Sequence, residues 1–183
     1  MNIFERQGFM VSVLKNSPKD DDFNIVVLPG VGSAGSAAET INVKFRTWLL
    51  ERAKAEKTIM GICLGFQLMC EGTEESGGIE GLGLLPGVCK PLGCFENTSL
   101  RVGWHQVNYS GLLSSHGSDY YYFNHAFGLD SNEANLNNTD YRIGVVENTV
   151  AWVRNQNIIG IQFHPEKSQI AGKHLIYNLV EDK

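Results

Sequence analysis

A cysteine between two glycines, in residues 61–65 (GICLG), lies where a predicted strand meets a predicted helix. This spacing is typical of the G-x-nucleophile-x-G elbow, in which a sharp turn presents a nucleophile above the edge of a sheet. At the start of the helix, Cys63 lies at the positive end of the helix dipole, which favours a reactive sulfur. The N–H of Leu64 points to where an oxyanion would form. A small buried cysteine in a tight turn is the alternative interpretation.

A histidine follows the last predicted strand, within residues 161–166 (IQFHPE). Open α/β sheets place their active groups at the carboxyl ends of strands, so His164 is a candidate general base. Pro165 favours an extended conformation of His164, and in an extended segment Glu166 faces the same side and can hydrogen-bond the imidazole. Cys63, His164 and Glu166 would then form a triad of nucleophile, base and orienter. A surface His-Pro-Glu turn is the alternative.

Other polar and sulfur side chains near the elbow are open to more than one interpretation. Gln67 lies one helical turn beyond Cys63 on the same face, where its amide could bind a polar substrate or complete the core. For Cys70 we expect a core position. Cys89 and Cys94 lack the two further nearby ligands of a zinc site, so we expect structural cysteines there. All four thiols are predicted to be free.

Short apolar runs alternate with helical patterns along the chain, which predicts one α/β domain. Residues 58–62 (TIMGI) are apolar enough for a buried strand of a parallel sheet. Residues 29–32 (PGVG) and the glycine-rich residues 71–87 are predicted loops. The predicted strands are residues 9–14, 23–28, 58–62, 101–107, 120–123, 142–147, 149–154 and 157–162, the last two as a hairpin, and the predicted helices are residues 43–55, 64–70 and 172–179.

The composition excludes several classes of protein. The chain has 183 residues, of which 43% are hydrophobic and 19% charged, as in an ordinary globular domain. Its net charge of −5 argues against nucleic-acid binding, which needs a basic face. The acidic residues 20–22 and 74–75 are predicted to be solvated loop charges. Without a long apolar run or a signal peptide, we expect a cytoplasmic protein that does not contact membranes.

Together these motifs resemble the class I (triad) glutamine amidotransferases. Within that family, the chain is most similar to the glutaminase subunits of imidazole glycerol phosphate synthase, which serve histidine biosynthesis. The resemblance implies one amidotransferase domain over residues 1–183, with an open, mostly parallel sheet flanked by helices, as in flavodoxin-like folds. The stretches that carry the resemblance are residues 28–32 (LPGVG), 61–69 (GICLGFQLM), 81–87 (GLGLLPG), 102–104 (VGW) and 164–169 (HPEKSQ).

The resemblance also implies roles for individual residues. Cys63 would be the nucleophile that attacks glutamine, His164 the general base and acid, and Glu166 its orienter. Lys167 would lie near the interface with a (β/α)₈-barrel cyclase subunit, the ammonia-receiving half of a heterodimer. No cofactor and no metal are implied. The positions implied for the oxyanion hole are Leu64, Gly30 and Val31, and those implied for glutamine binding are Gly32, Gln67, His125, Ala126 and Phe127.

Three features depart from the family pattern. Other members open with a strand, a turn and most of a helix, whereas residues 1–7 (MNIFERQ) match only the last turns of that helix. We therefore expect an N-terminally truncated sheet whose missing interior strand leaves apolar surface and ladder groups unpaired. Leu100-Arg101 replaces a Pro-His pair, and His105 replaces an asparagine. Ala126 stands where the family has serine or threonine.

Three alternative functions fit parts of the pattern. A paralogous amidotransferase subunit in a surface-glycan sugar pathway would share the triad, and the departures at residues 100–105 favour it. An inactive, truncated binding subunit would explain the missing strand. A thiol hydrolase or peptidase could share the cysteine elbow, but such enzymes need neither the His-Pro-Glu sequence nor the PGVG loop.

Overall fold

The computed structural model describes residues 2–30, 32–109, 118–132, 136 and 141–181. The strands in this part of the chain are β1 (Ile25–Leu28), β2 (Thr58–Ile62), β3 (Gly72–Thr73), β4 (Ile79–Glu80), β5 (Val88–Pro91), β6 (Arg101–Tyr109), β7 (Ser118–His125), β8 (Phe127–Gly128), β9 (Arg142–Val146), β10 (Thr149–Asn155) and β11 (Ile158–Ile161). The helices there are α1 (Asn2–Glu5), α2 (Ala34–Thr40), α3 (Val43–Lys54), α4 (Leu64–Met69) and α5 (Gln169–Glu181).

The larger sheet formed by these residues has seven strands in the order β1-β2-β11-β10-β9-β6-β7. Its pairing is parallel from β1 through β2 to β11 and antiparallel from β11 to β7. The predicted α/β class and the predicted terminal hairpin are confirmed. The prediction that the sheet is mostly parallel is wrong, because only the pairs β1–β2 and β2–β11 of this sheet are parallel. The short turns between β9, β10 and β11 can join only antiparallel neighbours.

Helices cover both faces of the larger sheet, and each face carries its own apolar core. Along β2, Ile59 packs on the face covered by α3 and α4, whereas Met60 packs on the face covered by α5. Ile158 and Ile159 of β11 divide between the faces in the same way. β2 and β11 are therefore buried on both sides in the middle of the domain, as the apolar sequence of residues 58–62 predicts.

The N-terminal segment packs on the sheet without joining it. Ile3 and Phe4 of α1 are buried against the core on the α5 face, so the helix predicted for residues 1–7 is confirmed in part. The strand predicted for residues 9–14 is wrong. Phe9 and Val11 pack on the core, but the segment forms no ladder with β1, which is the edge strand in the part of the sheet that the structure describes. Alternating apolar residues indicate a two-sided segment, but only a paired backbone makes a strand.

Several elements differ from the sequence-based expectations. Helix α2 is not predicted, although Ser33 caps it by accepting a hydrogen bond from the N–H of Ser36. Residues 71–87 are not one surface loop, because they supply β3 and β4 to a small sheet in the order β4-β3-β5-β8. No helix among the described residues is both long and apolar enough to cross a membrane.

One acidic residue predicted to be solvated instead fixes the start of the domain. Asp21 forms an ion pair with the fully buried guanidinium of Arg52 on α3. Arg52 also donates to the carbonyl oxygens of Phe23 and Asn24, at 2.8 and 3.0 Å, just before β1. A buried arginine needs such partners because an unpaired charge is costly to bury. Arg52 therefore links α3 to the segment that leads into β1.

Candidate active site

Cys63 occupies the turn between β2 and α4, with φ +52° and ψ −108°. A non-glycine residue at such a φ is strained, and residues of this kind cluster at active sites. The turn has room only for glycines on either side: a Cβ on Gly65 would lie 1.9 Å from the carbonyl oxygen of Leu28, and one on Gly61 2.5 Å from the sulfur of Met69. The predicted nucleophile elbow is present, and it presses against the end of β1.

His164 follows β11 and is held on three sides. Its backbone N–H donates to the carbonyl oxygen of Tyr122 on β7 at 2.8 Å, and its own carbonyl oxygen accepts from the hydroxyl of Ser168 at 2.7 Å. Its backbone is extended (φ −96°, ψ 97°), as Pro165 predicts. The imidazole Nδ1 lies 2.8 Å from Oε1 of Glu166. The next residues form a 3₁₀ turn rather than a continued extended segment, yet the predicted imidazole–carboxylate bond forms.

The imidazole of His164 is also hydrogen-bonded to the side chain of Cys63, so the three predicted triad residues are in contact. The bond to Cys63, then the bond to Glu166, raise the pKa of His164 to about 9 against the opposing effect of burial. Burial raises the pKa of Glu166, but the hydrogen bond and charge of His164 outweigh it, and the net shift is downward. Both shifts favour a protonated imidazole beside an ionised Glu166.

A cavity of about 420 Å³ opens beside the sulfur of Cys63. Its lining includes every described residue that the sequence predicts for the site except Glu166, which lies behind the imidazole of His164. Val31 lies outside the described residues. The predicted residues that line the cavity are Cys63, Leu64, His164, Gly30, Gly32, Gln67, His125, Ala126, Phe127 and Lys167.

The loop that follows β1 closes one side of the cavity. A Cβ built on Gly30 would lie 2.5 Å from the backbone nitrogen of Leu64 and 2.7 Å from the Cβ of Cys63. No side chain fits there, which explains the glycine at this position. Leu64 begins α4, and the first N–H groups of a helix have no acceptor within the helix. The loop and the helix start therefore lie in close contact beside the nucleophile, where the sequence predicts an oxyanion hole.

Gln67 and His125 line the cavity and bond the same backbone carbonyl. The amide nitrogen of Gln67 donates to the carbonyl oxygen of Phe127 at 2.9 Å, and Nδ1 of His125 bonds the same oxygen at 2.8 Å. Burial lowers the pKa of His125 to about 4, despite the bond to Phe127, so its ring is neutral. Within the described part of the chain, Oε1 of Gln67 and Nε2 of His125 are buried without a hydrogen-bond partner.

A comparison of the sequence with known proteins identifies the family. The family model for glutamine amidotransferase class-I matches residues 3–182. The chain belongs to this family.

Relatives agree with the assignment to the class-I amidotransferases, and two solved structures share the fold. The imidazole glycerol phosphate synthase subunit HisH of Methanothermobacter thermautotrophicus is 37% identical, over 98% of this chain and 90% of the relative. The subunit HisH of Bacillus subtilis is 34% identical, over 94% of this chain and 84% of the relative. A crystal structure of a glutamine amidotransferase has a TM-score of 0.74 at 14% identity, over 100% of this chain and 92% of that one. The structure of PurLQS from Thermotoga maritima has a TM-score of 0.72 at 22% identity, over 99% and 90%.

The cavity of the amidotransferase is also lined by two residues that the sequence-based prediction missed, Glu75 and Asn124. Glu75 accepts a hydrogen bond from the N–H of Ala34 at 3.3 Å and is half-buried, so its predicted role as a solvated loop charge is wrong. No local pattern distinguishes Glu75 from the exposed Glu74 beside it. Its position depends on the packing of the 3₁₀ turn at Glu75–Gly77 against the start of α2.

Arg101, one of the residues that depart from the family pattern, is buried inside the domain. Its guanidinium is buried, pairs with Glu96 and donates to the hydroxyl of Thr149 at 2.6 Å. Arg101 also lies opposite His125 in the β6–β7 ladder and contributes to lowering the pKa of that histidine. The replacement therefore forms a buried ion pair behind the cavity wall and presents no charge to the cavity.

The four cysteines occupy different environments. Cys70 is fully buried, as predicted, and Cys89 is buried beside it with the two sulfur atoms 3.8 Å apart. Cys94 is exposed, so the expectation of a structural role is wrong for this residue. All four are free thiols, as predicted. Only Cys63 combines a strained turn, a cavity and a basic neighbour.

Proposed function

We propose that this chain is the glutaminase subunit of an imidazole glycerol phosphate synthase, and that it acts in the cytoplasm. The reaction of the subunit is the hydrolysis of glutamine to glutamate and ammonia. The observation that supports it most strongly is the hydrogen-bonded series Cys63–His164–Glu166 at the wall of a cavity of about 420 Å³. The synthase in particular is supported by the names of the relatives, which are subunits HisH of that enzyme.

In the first half of the reaction, the sulfur of Cys63 attacks the side-chain carbonyl carbon of glutamine. Because the pKa of His164 is raised to about 9, its imidazole carries a proton at neutral pH and stabilises the anionic sulfur. The tetrahedral oxyanion is held by backbone N–H groups at Leu64 and in the loop at Gly30. His164 then gives its proton to the departing nitrogen, and ammonia and a γ-glutamyl thioester on Cys63 are formed.

In the second half, water replaces ammonia beside the thioester. The imidazole of His164 is now neutral and removes a proton from the water as it attacks the carbonyl carbon. The carbon–sulfur bond breaks, glutamate leaves, and the proton on His164 restores the starting state. Glu166 stays ionised throughout and keeps Nδ1 of His164 protonated, so that the other ring nitrogen faces the sulfur and the water.

The polar groups on the cavity wall match the two ends of glutamine. Glu75 provides a carboxylate for the α-ammonium group. The unpartnered Oε1 of Gln67 is a further acceptor for an N–H donor of the substrate. Glu75 and Gln67 line the same cavity as Cys63, so the cavity offers a charged group for the ammonium end of glutamine and the sulfur for its side-chain amide. Charge complementarity at one end and the oxyanion hole at the other favour an amino acid over a peptide.

A surface beside the active site supports a protein partner. Four apolar and aromatic residues on one face of β6 and β7 form the aromatic patch, which consists of Val102, Trp104, Tyr120 and Tyr122. Trp104 and Tyr120 are 45% and 55% exposed, an unusual exposure for large aromatic side chains. The Nζ atom of Lys167 lies 5.3 Å from the ring centre of Tyr122.

The partner proposed for the aromatic patch is the (β/α)₈-barrel cyclase subunit, in a heterodimer. Lys167 lines the glutamine cavity and also contacts the patch, so a subunit docked there lies next to the point where ammonia is released. Burial of exposed tryptophan and tyrosine supplies much of the binding energy in many interfaces. An ammonia acceptor on this side would receive the product without its passing through bulk water.

The test is glutamine hydrolysis by the chain purified together with its cyclase subunit. We expect Cys63→Ala to abolish glutamate formation while the complex still elutes as a heterodimer in size-exclusion chromatography. Supplied directly with ammonium salt, the same complex should still form imidazole glycerol phosphate, which controls for damage to the partner. Glutamate formation by the Cys63→Ala complex would contradict the proposed catalytic role.

A further inference from the structure

Gln162 is a fully buried polar residue between β11 and His164 to which the mechanism above gives no role. Its backbone N–H donates to the carbonyl oxygen of Ala151 on β10 at 2.8 Å, which fixes its position at the end of the sheet. Its side chain reaches the active site, where Nε2 lies 3.8 Å from the sulfur of Cys63. An N–H group therefore faces the nucleophile from the strand that also leads to the catalytic histidine.

The other end of the same amide reaches Gln67. Its Oε1 accepts a hydrogen bond from Nε2 of Gln67 at 3.4 Å. Gln67 donates in addition to the carbonyl oxygen of Phe127 at 2.9 Å, so its amide nitrogen is held by two acceptors. These two bonds fix the orientation of the Gln67 amide, whose residue lines the cavity, and leave its buried Oε1 without a partner within the described part of the chain. Gln162 thus connects the substrate-binding amide to the attacking sulfur.

A buried amide at this position is not explained by packing alone. Residues on either side of it, Ile161 and Phe163, are fully buried hydrophobic side chains of the core on the α5 face. Burial of an amide costs free energy that an apolar residue of the same size avoids, unless its donor and acceptor are both paired. Both are paired here, and both partners belong to the active site. A hydrogen bond also strengthens when its acceptor becomes anionic, as the sulfur does before attack.

We propose that Gln162 is a positioning residue of glutamine hydrolysis, which holds the sulfur of Cys63 towards His164 and sets the orientation of the Gln67 amide. This inference rests on the proposed glutaminase function and adds a residue to it. Cys63 is then held through both its backbone and its side chain. Its backbone N–H donates to the carbonyl oxygen of Ile161 at 2.6 Å, and its sulfur accepts a hydrogen bond from the side chain of Gln162. One strand end therefore positions the nucleophile and its base.

Two substitutions separate the two bonds of Gln162. Gln162→Met keeps the length of the side chain and removes both bonds. Gln162→Glu keeps an acceptor for Gln67 but, when ionised, has no donor for the sulfur and places a negative charge beside it. Ile159→Val is the matched control, because it trims a buried side chain of the same strand and touches neither amide. All variants are made in a Cys94→Ser background, since Cys94 is exposed and would react with the same reagent.

The first measurement is the rate of Cys63 alkylation by iodoacetamide as a function of pH, followed by the mass of the Cys63 peptide. We expect both Gln162 variants to be alkylated more slowly at neutral pH, with the profile displaced to higher pH, and the control to match the parent. A merely structural role of Gln162 would lower thermal stability and leave this profile in place. The parental profile in a folded Gln162→Met protein would overturn the proposal, and so would the parental profile in Gln162→Glu if the methionine variant does not fold.

The second measurement separates the two roles in the complex with the cyclase subunit. For Gln162→Met we expect kcat for glutamine hydrolysis to fall roughly ten- to hundredfold, the range for one hydrogen bond to a charged group, and KM to rise. Gln162→Glu should share the fall in kcat with a KM closer to that of the parent. Parental kcat values would contradict the role of Gln162 alone. A different result would contradict the proposed function itself. In that case the parent complex would have no glutaminase activity, and its Cys63 would react no faster than the exposed Cys94 of the unsubstituted chain.

Discussion

Ile62 of β2 lies directly opposite Ile161 of β11 in parallel register. Because both strands run the same way, the residues that follow them leave the sheet at the same edge. Cys63 therefore enters its turn beside the segment that carries His164, and the two side chains hydrogen-bond although they are far apart in sequence. The contact depends on the pairing of two strands, one from the middle of the chain and one from near its end.

Replacement of Glu166 by glutamine tests the orienting carboxylate. The amide is nearly the same size but cannot stabilise the charged imidazole of His164, so we expect kcat for glutamine hydrolysis to fall roughly 10²–10⁴-fold. Alkylation of Cys63 should persist, because the sulfur and its cavity are unchanged. Glu51→Gln, an exposed position on α3, is the control and should retain parental turnover. An unchanged kcat in the Glu166 variant would remove the carboxylate from the mechanism.

The raised pKa of His164 predicts a pH-dependent contribution to stability. The folded-state pKa of about 9 exceeds the ordinary value of 6.5, so the folded protein binds the proton more tightly than the unfolded chain. The resulting stabilisation is fully present below pH 6.5 and is lost as the pH rises through 9. Urea unfolding of the parent and of His164→Gln should therefore differ most at the acidic end of this window and converge above it. A difference that grew with rising pH would contradict the shift.

Gly30→Ala tests the close approach of the loop to the nucleophile. The added Cβ would lie 2.2 Å from the carbonyl oxygen of Ile62, so the loop must move away from the oxyanion site. We expect a loss of about 1–3 kcal/mol in unfolding free energy and a larger proportional loss of kcat. Gly35→Ala on α2 is the control, because its Cβ would make only an ordinary van der Waals contact, 3.5 Å from the Cβ of Ser76. Parental activity in Gly30→Ala would show that the loop takes no part.

Glu75→Gln tests the proposed site for the α-ammonium group of glutamine. Loss of the charge should raise KM for glutamine roughly tenfold or more, as for one hydrogen-bonded charge pair, and leave kcat nearly unchanged. The neighbouring Glu74→Gln removes an equal charge from an exposed side chain that does not line the cavity, and it should leave KM unchanged. Equal KM values for the two variants would indicate that another group binds the ammonium.

Trp104→Ala tests the aromatic patch as the docking surface. We expect weaker binding of the cyclase subunit, by roughly 2 kcal/mol or more if Trp104 is a central anchor, measured by isothermal titration calorimetry. Alkylation of Cys63 in the free chain should not change. Tyr177→Ala removes another exposed aromatic side chain, on α5, and should bind the partner as the parent does. Equal loss in both variants would mean that the patch has no special role.

The local sequence predicts the elements of the site well. The buried strand at Thr58–Ile62, the glycine-flanked turn at Cys63 and the extended backbone of His164 all depend on near neighbours in the chain. Apolar continuity, steric exclusion at a tight turn and the restriction imposed by Pro165 act over a few residues. Each is therefore readable without coordinates. The strand expected at residues 9–14 fails because a strand also needs a partner, which local pattern does not specify.

The sequence by itself thus determined which residues could react: a cysteine in a strained turn, a histidine with a carboxylate two positions on, and the family they indicate. Tertiary structure alone decided that Glu75 faces the cavity, that Gln162 reaches the sulfur, and that Arg101 is neutralised inside the domain. The reason is physical. Hydrogen bonds and ion pairs between distant segments depend on how strands pair and helices pack, and one-dimensional spacing does not encode those distances.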